Sequence, residues 1–274
     1  MNLLQSLLYG IISGLSEFVP ISSYGHQVFL RKVFGQEQWD PLLDLLVHIG
    51  LLLAVIVSCR SALAGYIQEF SGSKRRRRVN VKNQRRTYDL RFLMASSIVM
   101  LAVLLFNRST VALEENFLWL CGFFVINGIV FYVLDHMRHA NKDSSQMSGM
   151  DAVLTGFLGG LSIFPGISRI GMCLASAVGR GAEKSVAYNW SLILCVPALV
   201  LLILFDLVGL FITAGFAITF IGFLYSVLAA IGAFAVGYLI IMFMRLMIVN
   251  SGFTGYACYC WGAAMLTFVM YLVA

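Results

Sequence analysis

Charged residues are scarce in this sequence. Asp, Glu, Lys and Arg make up 12% of its 274 residues, whereas soluble domains carry about 25%. Hydrophobic residues make up 60%, and the mean hydropathy is +0.87. A chain with so few charges cannot cover the surface of a soluble protein of this size, so lipid must cover much of it. The sequence therefore predicts an integral membrane protein.

Two other features are missing. The first basic residue is Arg31, so the N-terminus lacks the basic region that opens a signal peptide, and we expect the first apolar segment to remain in the mature protein. The six cysteines show no zinc-type spacing. We expect them to be small apolar packing residues rather than parts of a disulfide framework or a metal site.

Positive charge is concentrated in one segment. Nine of the 19 basic residues lie between Lys74 and Arg91, in a chain of net charge +6. Such a run can bind nucleic acid or anionic lipid, or it can fix the side of the membrane on which a loop lies. Because the run lies between two apolar segments, we predict that residues 60–91 form a cytoplasmic loop, with no nucleic-acid partner.

Eight segments are apolar enough to enter a membrane. Two of them, 3–30 and 151–178, are interrupted by Pro20 and Pro165 with neighbouring Gly and Ser, which disfavours a continuous helix. Broken backbone at membrane depth survives only where protein or a cavity satisfies it, so we expect two re-entrant helical hairpins. The other six fit spanning helices of about 20 residues: 41–59, 92–107, 117–135, 187–207, 215–244 and 253–273.

The two interrupted segments also resemble each other. Gly14-Leu15-Ser16 matches Gly160-Leu161-Ser162, and each match is followed by three predicted spans. Residues 1–135 and 151–274 are therefore predicted to be inverted repeats of one membrane domain, 1–274, although a short match can also arise by chance. With the basic loop in the cytoplasm, both termini and the first hairpin lie on the external side.

Ionisable residues inside the interrupted segments suggest a site. Glu17 and His26 lie in the first hairpin and Arg169 in the second, and charges at membrane depth are usually functional. An Arg fork binds phosphate oxygens well, and broken helix N-termini add N–H donors. A hydroxyl of Ser22 or Ser23 could attack phosphorus if Glu17 or His26 took its proton.

A structural interpretation of the same residues competes with this one. Glu17 and Arg169 could form only an ion pair that locks the two hairpins together. Serine hydroxyls can satisfy broken backbone, which we expect above all of Ser16 and Ser168.

Another ionisable residue, His48, lies within the predicted span 41–59. A lone His in a span is more often a hydrogen-bonded packing residue than a catalyst. Asp44 lies one helical turn earlier, and we expect it to be the partner of His48.

The motifs in the two interrupted segments resemble those of a known family. Residues 13–26 read S-G-L-S-E-F-V-P-I-S-S-Y-G-H, which resembles the first signature of the undecaprenyl-diphosphate phosphatase (bacitracin-resistance) family, E-G-x-T-E-F-x-P-V/I-S-S-T-G-H. Residues 165–173 read P-G-I-S-R-I-G-M-C, which resembles its second signature, P-G-x-S-R-S-G-A-T. Residues 48–55 and 189–198 also resemble runs of the family, so the resemblance covers nearly the whole chain.

The resemblance implies an all-α integral membrane fold of six transmembrane helices plus two re-entrant hairpins in inverted-topology repeats. It implies removal of phosphate from undecaprenyl diphosphate at the external face of the bacterial plasma membrane, which recycles the lipid carrier for cell-wall (peptidoglycan) synthesis. It also implies a divalent cation, Mg²⁺ or Ca²⁺. The matching positions are Glu17, Ser22, Ser23 and His26 as catalytic residues, Gly25, Gly166, Ser168 and Arg169 as substrate-binding residues, and Glu17 as a cation ligand.

Four positions depart from the family pattern: Ser13, Tyr24, Ile170 and Cys173. Ser13 replaces a carboxylate, which removes an acid/base partner or a cation ligand. The sequence favours a phosphatase acting on a polyprenyl diphosphate. The alternative is a non-hydrolytic transporter of a polyprenyl phosphate or a related amphiphilic anion, and a weaker one is a resistance protein that binds the lipid diphosphate or a drug complexed to it. A homodimer is left open.

Overall fold

The computed structural model describes residues 1–36, 40–71, 81–106, 113, 116–137, 142, 144–213 and 219–273. Regular structure in these residues is helical, apart from one isolated bridge between Lys142 and Ala182. Short 3₁₀ helices cover Ser144–Gln146 and Leu161–Ile163. The α-helices of the described residues are α1 Leu3–Phe18, α2 Ser23–Val33, α3 Pro41–Phe70, α4 Val81–Leu104, α5 Phe117–His136, α6 Gly149–Gly160, α7 Arg169–Gly179, α8 Lys184–Thr213, α9 Phe220–Asn250 and α10 Thr254–Val273.

Six of these helices are long and apolar enough to cross a membrane, namely α3, α4, α5, α8, α9 and α10. They overlap the six predicted spans, of which residues 107 and 215–218 lie outside the described residues, and the chain is a multi-pass membrane protein. The predicted loop 60–91 is shorter in the structure, because α3 continues to Phe70 and α4 begins at Val81. Most of the basic run in that loop lies outside the described residues.

The start of α3 shows how local sequence sets a helix boundary. Pro41 occupies the first turn, where its missing N–H and fixed φ are tolerated. The side chain of Asp40 accepts a hydrogen bond from the backbone N–H of Leu43 at 3.1 Å. This cap satisfies one of the N–H groups that have no partner within the helix.

Both interrupted segments divide into two helices. In the first, α1 ends at Phe18 and α2 begins at Ser23; in the second, α6 and a 3₁₀ turn are separated from α7 by residues 164–168. Pro20 and Pro165 lie in these breaks, as the sequence predicts. A serine caps the second helix each time, Ser22 for α2 and Ser168 for α7.

The helices of the two halves pack against each other. Helix α9 packs on α1 and α3, α4 packs on α6 and α8, α3 packs on α8, and α5 packs on α10. Glycines allow two of these contacts to be very close. A Cβ on Gly10 of α1 would lie 2.1 Å from the carbonyl oxygen of Ala229 on α9, and one on Gly156 of α6 would lie 2.2 Å from that of Ser96 on α4. Small residues commonly permit such approach between membrane helices.

Candidate active site

The two helix breaks touch each other. The hydroxyl oxygen of Ser22 accepts hydrogen bonds from the backbone N–H groups of Gly25, on its own helix, and Gly166, in the other break, each at 3.2 Å. A Cβ on Gly25 would lie 2.8 Å from the nitrogen of Gly166, so the backbones are in direct contact. The two interrupted segments therefore meet in the structure, as the sequence predicts.

This contact holds unusual backbone conformations. Ser22 has a φ of +73°, which costs a non-glycine residue about 1–3 kcal/mol. Gly166 has a φ of +109°, which favours glycine at that position. The hydrogen bond between these residues fixes the strained turn of one break against the turn of the other.

An ion pair joins the breaks. Nη1 of Arg169 donates to Oε1 of Glu17 at 2.9 Å, and both side chains are at least nine-tenths buried. Nε of Arg169 also donates to the hydroxyl of Ser162 at 3.3 Å. The fork of Arg169 is therefore held in one orientation at the N-terminus of α7, next to the first break.

The hydroxyl of Ser23 differs from those of its neighbours. It is buried, and in the part of the chain that the structure describes it has no hydrogen-bond partner. Buried polar groups are rarely left unsatisfied in folded proteins, so each exception needs an explanation. A hydroxyl kept for a ligand or for a reaction provides one.

His26 contacts the first break and α10. Its Nδ1 lies 2.6 Å from the carbonyl oxygen of Ser22, and its Nε2 lies 2.7 Å from the hydroxyl of Tyr259. A carbonyl oxygen only accepts, so Nδ1 carries the proton and the lone pair of the neutral ring is on Nε2. Tyr259 donates to that lone pair and stacks on the ring.

Two further serines bond to backbone, Ser168 at the second break as the structural interpretation expected and Ser16 within the continuous helix α1. The hydroxyl of Ser16 donates to the carbonyl of Ile12 at 2.6 Å, and that of Ser168 accepts from the N–H of Gly171 at 3.0 Å. The N–H of Ser168 donates to the side-chain oxygen of Asn127 on α5 at 3.1 Å. Asn127 and Tyr259 were missed by sequence reasoning, since both lie on other helices without a motif.

The departures from the family pattern occupy packed positions. Ser13 is fully buried, and its hydroxyl accepts from Nε2 of Gln27 at 3.1 Å. Ile170 and Cys173 are buried among packed helices, and Sγ of Cys173 contacts the carbonyl of Thr155 on α6 at 3.8 Å. Tyr24 is half-buried.

The donor set limits how a divalent cation could be held. Among the described residues, no group of three or more His, Cys, Asp or Glu side chains is gathered as a metal site. Glu17 brings a carboxylate to the two breaks, and its Oε1 already accepts from Arg169. Magnesium often uses one or two carboxylates together with substrate phosphates. These residues fit a cation shared with a bound diphosphate, and they do not fit one held by protein alone.

The predicted partnership of His48 with Asp44 is wrong. Nδ1 of His48 lies 2.6 Å from Oδ2 of Asp206, because α8 packs against this side of α3 and brings a carboxylate closer than the neighbouring turn does. Asp44 instead accepts from the hydroxyl of Tyr9 at 2.5 Å and lies 3.9 Å from Nη1 of Arg31. Asp206 is the sole charged residue of the predicted span 187–207, a signal that could have identified it.

Known proteins resemble the chain over nearly its full length. Undecaprenyl-diphosphatase from Carboxydothermus hydrogenoformans is 26% identical over 261 residues, covering 95% of this chain and 94% of that protein. Undecaprenyl-diphosphatase 3 from Bacillus cereus is 28% identical over 270 residues, and undecaprenyl-diphosphatase from Methanobrevibacter smithii is 27% identical over 276 residues, each covering 98% of both chains.

The sequence model of one family also matches. That family is described as bacitracin resistance protein BacA, and the match covers residues 6–266. It includes both helix breaks, five of the six long apolar helices in full, and α10 as far as residue 266. The chain therefore belongs to the bacitracin resistance protein BacA family.

Proposed function

We propose that this protein is a membrane phosphatase that removes one phosphate from undecaprenyl diphosphate. The observation that carries the proposal is the meeting of the two helix breaks. It brings together a buried Arg169–Glu17 ion pair and the Ser23 hydroxyl that has no partner among the described residues. The relatives named above are undecaprenyl-diphosphatases, and the same substrate suits a polar site enclosed by apolar helices.

The proposed arrangement in the membrane is two inverted repeats, each a re-entrant hairpin followed by three spans. In this arrangement α1 corresponds to α6, and α4 corresponds to α9. The packing of α1 on α9 then corresponds to that of α6 on α4, and the close contact at Gly10 to that at Gly156, which supports the proposal. The concentration of basic residues supports a cytoplasmic loop between α3 and α4, with both termini outside in the bacterial plasma membrane.

Arg169 binds the diphosphate in this proposal. Its guanidinium fork suits phosphate oxygens, and the N-termini of α2 and α7 add positive dipole ends nearby. A bound diphosphate would compete with Glu17 for Arg169. Gly25 and Gly166 let the two breaks pack closely, since a Cβ on Gly25 would clash with Gly166 and one on Gly166 would clash with Phe123 of α5. With the cap at Ser168, they fix the backbone beside the proposed ligand.

Ser23 is the proposed nucleophile. Its Oγ attacks the terminal phosphorus, the bond from that phosphorus to the bridging oxygen breaks, and the polyprenyl phosphate leaves. Water then cleaves the phosphoserine and releases inorganic phosphate. Ser22 is less suited to attack, because its hydroxyl oxygen already accepts two backbone N–H groups and shapes the turn.

Glu17 and His26 move the protons. Either can accept the proton from Ser23 and later return it to the leaving oxygen. For His26 this role belongs to Nε2, so the hydroxyl of Tyr259 must first turn away from that atom. A divalent cation held by Glu17 and the diphosphate would neutralise charge on the phosphate oxygens.

A non-hydrolytic carrier of the lipid phosphate is the second candidate. The exchange-related packing of the two halves favours it, because inverted repeats suit alternating access. The carrier needs Arg169 for binding but no nucleophile. Phosphate release therefore separates the two candidates.

The test is phosphate release from undecaprenyl diphosphate by the purified protein in detergent, with and without Mg²⁺ or Ca²⁺. Arg169→Ala should abolish release. Arg180→Ala is the matched control, since Arg180 caps the other end of α7 and pairs with Asp151 of α6, far from the breaks. Lipid binding that depends on Arg169 without any release would replace the phosphatase with the carrier.

A further inference from the structure

A second set of ionisable side chains lies inside the helical bundle. His48 on α3 and Asp206 on α8 form a buried pair, with side chains 10% and 7% exposed. Both helices are long and apolar enough to cross a membrane. Ionisable groups at such positions are costly and usually serve ion or proton movement. The phosphatase chemistry proposed above does not use this pair.

Charged groups on α1, α2 and α3 surround the pair. Asp44 and Glu17 both act electrostatically on His48, and Asp44 and Arg31 both act on Asp206. Asp44 also accepts from the buried hydroxyl of Tyr9. Together with His48 and Asp206, these groups form one set: Tyr9 and Glu17 on α1, Arg31 on α2, and Asp44 on α3.

Among the described residues, the charged side chains of the other helices packed on α3 and α8 have partners or positions elsewhere. From α9, Arg245 binds the carbonyl of Ser58, farther along α3. On α4, the last charged residue is Arg91, next to Phe92, which stacks on Trp190 of α8. Trp190 lies about 24 Å from Asp206 along α8, so Arg91 is far from the pair. From α7, Arg169 pairs with Glu17.

The charges of the set predict an exchangeable proton. Arg31 and Asp44 carry opposite charges. With a neutral imidazole and an ionised carboxylate, the pair of His48 and Asp206 carries a net charge of −1, and one added proton makes it neutral. A net charge inside low-dielectric surroundings is costly, so the state of the pair responds to charge nearby.

We propose that the His48–Asp206 pair is a proton-binding site that takes up a proton when the lipid anion binds at Arg169. When no divalent cation is present, binding draws Arg169 from Glu17 to the phosphate and so leaves the carboxylate of Glu17 without a positively charged partner. The additional negative charge favours the protonated, neutral state of the pair. The proposal rests on lipid-phosphate binding at Arg169 and not on hydrolysis.

The test measures proton uptake as undecaprenyl phosphate is added to the purified protein in weakly buffered detergent that contains a pH indicator and no divalent cation. The monophosphate is the product, so hydrolysis adds no protons to the signal. Lipid binding is measured in parallel. We expect the wild type to take up protons on binding lipid, with an uptake that rises toward about one proton per bound lipid at a pH where the unliganded pair has lost its proton. Asp206→Asn and His48→Gln should each lower this uptake severalfold while the lipid still binds.

Two further variants control the measurement. His136→Gln removes a histidine whose Nδ1 bonds within its own helix, to the carbonyl of Tyr132, and should leave uptake unchanged. Asp206→Glu should keep most of the uptake. Lipid binding without proton uptake by the wild type, or equal uptake by wild type and Asp206→Asn, would overturn the proposal. Absence of lipid binding would overturn the proposal too, whereas the proposed function is tested separately by phosphate release from the diphosphate.

Discussion

The two helix breaks share a backbone design but carry different chemical groups. In each, a proline-containing turn is followed by a serine that caps the next helix and accepts from the N–H of a glycine three residues on. At the same separation along the chain, Arg169 in the second break corresponds to Ser23 in the first. Met172 likewise corresponds to His26.

The difference shows how one site can be divided between two similar turns. The first break supplies the carboxylate, the imidazole and the hydroxyl without a described partner, and the second supplies the anion-binding arginine. Neither turn alone has both an anion site and a nucleophile. The contact between Ser22 and Gly166 therefore matters as much as any single side chain, because it aligns the two sets of groups.

Removal of the arginine should have the largest effect. Arg169→Ala leaves the carboxylate of Glu17 buried without its cation, which we expect to destabilise the protein by about 3–5 kcal/mol. Phosphate release should fall by about 100-fold or more, as for loss of a donor to a transition-state charge. Thermal unfolding in detergent and phosphate release check the two parts. The double variant Glu17→Gln/Arg169→Met should regain stability but not release, and recovery of release would contradict the assigned role.

The adjacent serines of the first break should respond in opposite ways. Ser23→Ala removes a hydroxyl without a described partner, so stability should not fall, while phosphate release should be lost. Ser22→Ala removes the acceptor of two buried N–H groups, which should cost about 1–3 kcal/mol. Unfolding and single-turnover phosphate release distinguish them. Full release by Ser23→Ala would exclude Ser23 as the nucleophile. The first break would then no longer supply the reactive group of the site.

The long helices could be predicted from the sequence because apolar runs of this length have few other solutions. Their ends could not. Helix α3 continues beyond residue 59 through Gln68 and Glu69, and hydropathy does not detect a helix that extends into polar residues. The breaks were predictable because Pro20 and Pro165 disfavour continuous helix, whatever the tertiary packing.

The candidate site was predictable only where a residue stood out within its own segment. Glu17, His26 and Arg169 are ionisable residues in apolar surroundings, so sequence alone marks them. Asn127 and Tyr259 do not stand out, since polar or aromatic side chains are common in membrane helices and their roles depend on which helix packs alongside. The prediction of the partner of His48 failed for the same reason, because the partner, Asp206, lies on another helix, α8.

The packing glycines of the two halves should be equally sensitive. Gly10→Ala and Gly156→Ala each place a Cβ near 2 Å from a carbonyl oxygen of the opposite half, at 2.1 and 2.2 Å. Overpacking of this kind costs about 1–3 kcal/mol. Thermal unfolding in detergent should show similar losses for both. Gly122→Ala, where no neighbouring atom lies within 4 Å of the added Cβ, is the control and should be neutral. Unequal losses would argue against equivalent roles for α1 and α6.

The smallest effect is expected at Cys173, in the second break's own helix. Its Sγ contacts the carbonyl of Thr155, and an added Cβ on Gly159 would meet that sulfur at 2.4 Å, so the side chain lies in the α6–α7 contact. In Cys173→Ser the hydroxyl can donate to the same carbonyl, and stability should change by about 1 kcal/mol or less. Phosphate release should change by less than about threefold. A larger gain in release would mean that this position reaches the bound phosphate, and that the second break can contribute a hydroxyl as well as the arginine.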